Sequence, residues 1–297
     1  MNNNTNKVVD HDEWVDSDFV EVRKGSEGEK SARLVNPQIE AALAANPELR
    51  LLRHYLRGMY RLQKQRIQTS NTIGELERIG HTTDELSHFV SLLKSLRASE
   101  ASLERRCGKI LKGFPVHTAY LGLLNGVGVR TSASLIAAIV TPSRFRTVSS
   151  LISYAGLNPD PVTGKARVRK KGQKASWHQE LRATGFRWSA NILKSRKTGR
   201  WAELYYQFKE REVALNDKRE EPLTKMVVDL RTRRRLVKLF LSHLWEVWRR
   251  LEGLPVRKPY AIEYLGHSTI IEPFIDEGEW LIPDPIYTES LGPKQPV

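Results

Sequence analysis

The sequence predicts a mainly α chain: an antiparallel coiled-coil hairpin followed by a compact helical domain. Three observations carry that reading. Leu86, Phe89, Leu93, Leu96, Leu103, Cys107 and Ile110 recur at alternating three- and four-residue steps, which is a heptad seam. The run Gly126-Val127-Gly128 leads into an apolar helix over 131–140. A late stretch, about 223–251, places Leu236, Phe240, Leu241, Leu244, Val247 and Trp248 as a buried helix would, with arginines decorating its first half.

Taken in order, residues 1–36 are polar and acidic with little periodicity, and are expected to form a disordered tail. Val15, Phe19, Val20 and Val22 are its only candidates for a short element. Asp10, Asp12, Asp16 and Asp18 read as solvated charge, since nothing nearby predicts the strands that would hold them as metal ligands. Residues 37–113 form the coiled-coil arm. Asn46-Pro47-Glu48 supplies a cap, a proline for the first turn and an acid facing the positive end of the helix dipole. Leu49, Leu52, Leu56 and Met59 form its stripe, basic residues fill the opposite face, and Gly80 stops the helix after about Ile79. Thr82-Thr83-Asp84-Glu85 is a capping-box pattern for the second helix, whose seam only Glu100 breaks. The seam allows pairing within one chain or between copies, so a homo-oligomer through the coiled coil is one expected arrangement.

Residues 114–255 form the second domain, with a short helix over 117–124, the glycine turn, and the helix over 131–140. Glycine allows a tight turn and close approach of another backbone. The first amides of the following helix lack intrahelical acceptors and attract an anionic oxygen, and phosphate is the commonest candidate. Gly126, Gly128, Arg130 and Thr131 are therefore candidate phosphate contacts. The pattern resembles the second half of a helix-hairpin-helix, which grips the DNA backbone without reading sequence. It suits a tight turn between two packed helices equally well.

Charge favours a nucleic acid. The 297-residue chain carries a net charge of +14. Residues 1–33 hold eight acids and five bases, and residues 252–297 hold eight and three, so the whole excess lies between them. Lys165, Arg167, Arg169, Lys170, Lys171 and Lys174 open a run that reaches Arg200 with twelve bases against Glu180 alone. The first six are candidate DNA contacts. Trp177, Trp188 and Trp201 interleave with the bases; at least two are expected in the core. The tail, residues 256–297, is proline-rich and acidic, and is expected to be extended and weakly ordered. The single cysteine excludes an intrachain disulfide and a cysteine metal cluster. No run approaches the roughly 20 apolar residues of a membrane span. A soluble, cytoplasmic protein is expected, associated with the nucleoid in a prokaryote or nuclear in a eukaryote. No metal site, phosphate loop or cofactor motif is found, so no cofactor is expected.

The flank of the glycine turn resembles one family. Phe145 is followed by Tyr154-Ala155-Gly156-Leu157-Asn158-Pro159, then Val162-Thr163-Gly164-Lys165, then the basic run and a helix. This order resembles the C-terminal domain of the insertion sequence 110/116/902 transposases, the Piv/MooV-like recombinases. With the helical arm, the similarity covers about residues 48–255. The resemblance implies DNA as partner in transposition or recombination, with structured RNA an alternative because some relatives are RNA-guided. It also implies an acidic RNase-H-like domain, for which the 36 residues before the coiled coil are too few; a separate partner is expected to carry it. The family's serine nucleophile corresponds to Thr163, for which the sequence shows no activating partner. A catalytically reduced protein is expected, with an active recombinase using Thr163 as the alternative.

Overall fold

The computed structural model describes residues 19–21, 33–160, 163–169, 172–194, 199–257 and 270–287. It divides into two compact units, Met1–Gly113 and Phe114–Val297.

In the first unit, β1 (Phe19–Glu21) pairs antiparallel with β2 (Arg33–Val35), a short ladder within the stretch expected to be disordered. The acids Asp10, Asp12, Asp16 and Asp18 lie outside the described residues. Helix α1 (Pro37–Ala45) precedes the long α2 (Pro47–Arg78). The Asn46 side chain accepts from the Leu49 N–H at 3.0 Å, as the capping pattern requires. Gly80, at φ +102°, ends the helix in the left-handed region. Helix α3 (Ser87–Leu111) returns antiparallel to α2, as the Arg66–Glu100 and Arg106–Tyr55 contacts show.

Three details of the hairpin differ from expectation. Thr82 and Glu85 make the capping-box bonds: the Thr82 N–H donates to Glu85 at 2.8 Å and the Glu85 N–H to Thr82 at 3.5 Å. Those bonds close a turn, however, and regular helix starts only at Ser87. Glu100 does not interrupt the seam. It is buried between Leu96 and Cys107, with the Arg66 Nε donating to its carboxylate at 2.6 Å across the hairpin. A carboxylate at a seam position is tolerable only with such a partner. Toward the hairpin tip the seam opens, and Phe89 is 40% exposed.

The second unit is built on six helices among the described residues: α4 (Pro115–Thr118), α5 (Val129–Ile139), α6 (Val148–Tyr154), α7 (Gln179–Lys194), α8 (Arg200–Asp217) and α9 (Lys225–Leu251). The single helix expected over 117–124 is two pieces, α4 and a 3₁₀ turn at Leu121–Leu123. The cap of α6 is Thr147, which accepts from the Ser150 N–H at 3.2 Å. Trp188 and Trp201 are fully buried; Trp188 stacks on Phe240 with ring centroids 4.0 Å apart. Helix α7 needs Gly185, since a Cβ there would meet Val237 Cγ1 of α9 at 2.4 Å. The missing side chain lets α7 and α9 approach closely at that point.

Over 270–287 the chain is extended as expected, but packed rather than loose. Phe274 and Ile282 are buried, the Val256 N–H donates to Ile286 O at 2.6 Å, and the His243 Nε2–H donates to Ile271 O at 2.7 Å. Aperiodic sequence hides such docking, because the contacts are made to distant residues. No helix among the described residues is long and apolar enough to cross a membrane.

Candidate nucleic-acid interface

The glycine turn joins α4 and the 3₁₀ turn to α5. Val127, between the two glycines, is buried and fixes the turn to the core. His117 on α4 and the buried Ser132 on α5 hydrogen-bond at 3.0 Å and clamp the two arms; burial holds the His117 pKa below its ordinary value.

The two glycines have different reasons to be glycine. Gly126 has φ +76°, and a Cβ there would stand 2.9 Å from Ile192 Cδ1 of α7. Its constraint is internal. Gly128 has φ −85° and ψ 179°, ordinary extended backbone, and no described residue lies within 4 Å of where its Cβ would be. Gly128 is the N-cap of α5 and carries no side chain to close the helix end. The first turn of α5, Val129, Arg130 and Thr131, therefore presents the outward-facing amides, two residues earlier than the helix start expected at 131. Arg130 and Thr131 thus lie inside the first turn.

The Tyr154-to-Pro159 motif is packing that presents a loop. The Tyr154 hydroxyl donates to Ala138 O at 3.4 Å and Arg144 Nη1 donates to Ile139 O at 2.8 Å, which satisfies carbonyls at the end of α5. That end is tight: Val140 has φ +70°. Gly156, at φ +64°, lies under Trp177, and a Cβ would meet that ring at 2.4 Å. Beyond it, Pro159 and Ala166 bridge antiparallel, and the Asp160 N–H donates to Lys165 O at 2.8 Å. Thr163 stands at the tip of this small hairpin.

Asp160 is the residue that sequence reasoning missed. The Thr163 N–H and Oγ1–H both donate to Asp160 Oδ1, at 2.9 and 3.1 Å. An Asp three residues before a Thr is the available signal, and it is the ordinary signature of a side-chain-closed turn. The hydroxyl therefore has a carboxylate partner, contrary to expectation.

The basic residues flank this hairpin. Lys165, Arg169 and Lys174 are exposed, and Arg167 is half-buried with Nη1 donating to Ser176 at 3.5 Å. Lys170 and Lys171 lie outside the described residues. The Arg182 Nη1 donates to Arg167 O at 3.0 Å, and its guanidinium lies 5.1 Å from the Trp177 ring centroid. Trp177 is thus occupied in packing the loop onto α7. The structure therefore builds two features within one unit, an uncapped helix N-terminus and a basic hairpin. Among the described residues no group of three His, Cys, Asp or Glu side chains is arranged to hold a metal ion.

Residues 119–207 match the family described as Transposase IS116/IS110/IS902. The match spans α5, α6, α7 and the first part of α8, and so contains both features. No curated protein matches the chain.

Proposed function

We propose that this transposase-related chain binds the DNA backbone, through the N-terminus of α5 and the basic hairpin, during transposition or recombination, and that it is catalytically reduced. The observation that carries the binding half is Gly128, an N-cap with no side chain, no steric neighbour among the described residues and no conformational need for glycine. A glycine spared of internal duty is explained by something external that must come close. The net charge of +14 and the acid-poor run from Lys165 to Arg200 agree with a polyanionic partner. Structured RNA is the alternative partner. A copy of the same chain, through the coiled-coil arm, and a protein with the acidic catalytic domain complete the proposed assembly.

The test is Gly128→Val. Open space around the Cβ means the variant should fold and melt as the wild type does. Its affinity for duplex DNA, by fluorescence anisotropy, should fall about tenfold, the worth of one to two well-made hydrogen bonds to phosphate. Unchanged binding would remove α5 from the interface.

One observation favours a second reading, an active recombinase: the hydrogen bond from Thr163 Oγ1 to Asp160. A carboxylate is a weak base toward an aliphatic hydroxyl, and here it also holds the turn through the Thr163 amide. Incubated with supercoiled DNA and Mg²⁺, the purified chain should therefore form no covalent adduct. An adduct present in the wild type and lost in Thr163→Ala would establish the recombinase instead.

A further inference from the structure

The first half of α9 carries a cation cluster that belongs to neither the glycine turn nor the basic hairpin. Helices α7 and α9 run parallel. Gly185 packs on Val237, and Trp188 stacks on Phe240, so each step along one helix is matched by the same step along the other. One further step toward the N-termini sets Arg182 beside Arg234. Lys238 follows Arg234 on the same face of α9, since residues four apart are neighbours on a helix.

The other arginines in this part of α9 have partners. Arg231 pairs with Glu212 at 2.9 Å and Arg233 with Asp229 at 2.7 Å, while Arg235 covers the Phe208 ring at 4.6 Å. Among the described residues neither Arg234 nor Lys238 has a carboxylate partner, and Arg234 Nη2 is buried without a hydrogen-bond acceptor. Among the described residues Arg182 hydrogen-bonds only to a backbone carbonyl, which leaves its charge unneutralised there. Each of the three is half-buried, and burial lowers each pKa, with repulsion from Arg234 adding to the effect at Arg182 and Lys238. Three desolvated cations without an anion cost stability, and an exposed surface arginine would avoid that cost.

We propose that Arg182, Arg234 and Lys238 form a second phosphodiester-binding site, which continues the DNA track from the basic hairpin across α7 onto α9. The inference rests on the DNA-binding reading above and extends it to a different element. The hydrogen bond from Arg182 to Arg167 O makes the track continuous. A phosphate at the cluster supplies the missing acceptor for Arg234 and offsets the mutual repulsion of all three cations. The contacts are to the backbone and carry no base preference.

The experiment compares the full-length wild type, the double variant R234Q/K238Q, the charge-retaining swap R234K/K238R, and the hairpin variant K165Q/R167Q/R169Q. Duplex DNA affinity is measured between about 50 and 200 mM salt, the range over which counterion release is read. The double variant should bind at least tenfold more weakly, with the slope of log affinity against log salt reduced by about 2, near 0.9 for each phosphate no longer neutralised. The charge-retaining swap should keep the slope. In DNA-free samples, inorganic phosphate should raise the melting temperature of the wild type more than that of the double variant. Wild-type affinity and slope in the double variant, with weakening confined to the hairpin variant, would overturn the α9 site and leave the DNA reading standing. A wild type that ignores duplex DNA would overturn both. Loss of binding to a structured RNA alone would assign the cluster to RNA and overturn the DNA assignment.

Discussion

Trp188→Ala should destabilise the Phe114–Val297 unit by about 4 kcal/mol, the upper range for truncating a large buried aromatic. Trp188 is fully buried. It stacks on Phe240 at 4.0 Å and meets Trp201 edge-on at 5.1 Å, so its removal opens a cavity that three helices line. At roughly 2–4 °C per kcal/mol for a unit of this size, the melting temperature should drop by about 10 °C. Trp188→Phe should cost far less, because the indole N–H is buried with no acceptor among the described residues and its removal discards an unsatisfied donor. The same stacking sets the register that brings Arg182 beside Arg234, so Trp188→Ala should also weaken DNA binding at temperatures where the variant remains folded. A destabilisation of under about 1 kcal/mol in chemical denaturation would show that the three-helix packing is not the core of this unit.

Acid should destabilise the same unit through His243. The ring lies in the core between Trp201 and Phe274, with Nε2–H donating to Ile271 O and Nδ1 buried without a partner among the described residues. Burial, with a smaller contribution from Arg200, pulls its pKa down to about 4, against the raising effect of the Ile271 carbonyl. The folded value lies below the unfolded one near 6.5, so the unfolded chain binds more protons between them and stability falls as pH falls. The loss should begin near pH 6.5, run at up to about 1.4 kcal/mol per pH unit, and reach about 3 kcal/mol near pH 4. Glu246, Glu252 and Asp276 act oppositely: burial raises each, and each favours the folded state as it takes up a proton. The measurement is therefore the difference between wild type and His243→Gln in urea unfolding across pH 4–7.5. A difference that does not vary with pH would mean that His243 is accessible to protons in the folded chain. Because the Ile271 contact holds the extended segment against α9, this segment should be the first to detach in acid.

Much of the architecture was legible in the sequence because local chemistry specified it. Asn46-Pro47 starts α2 and Gly80 ends it, since capping and positive φ are properties of a few adjacent residues. The heptad seam of α3 was readable for the same reason; helical spacing also put at least two of Trp177, Trp188 and Trp201 in the core, and the packing decided that they are Trp188 and Trp201. The order Tyr154-to-Pro159, Thr163-Gly164, then bases was enough to place the chain near one transposase family, and residues 119–207 match that family.

Other features depend on contacts between residues far apart in sequence, and only the tertiary structure decided them. Glu100 looked like a defect in the seam until Arg66, on the opposite helix, met it. Gly126 and Gly128 read alike in the sequence, yet one is held by Ile192 of α7 and the other faces open space. The segment 270–287 carries no periodicity, because its partners, Leu123, Asn125 and His243, lie on other elements. The Arg182–Arg234 juxtaposition exists only because Gly185 lets α7 and α9 pack closely and in parallel. Local propensity sets where a helix begins and ends; which of its faces meets which neighbour, and which of its charges are left without a partner, is a property of the packed whole.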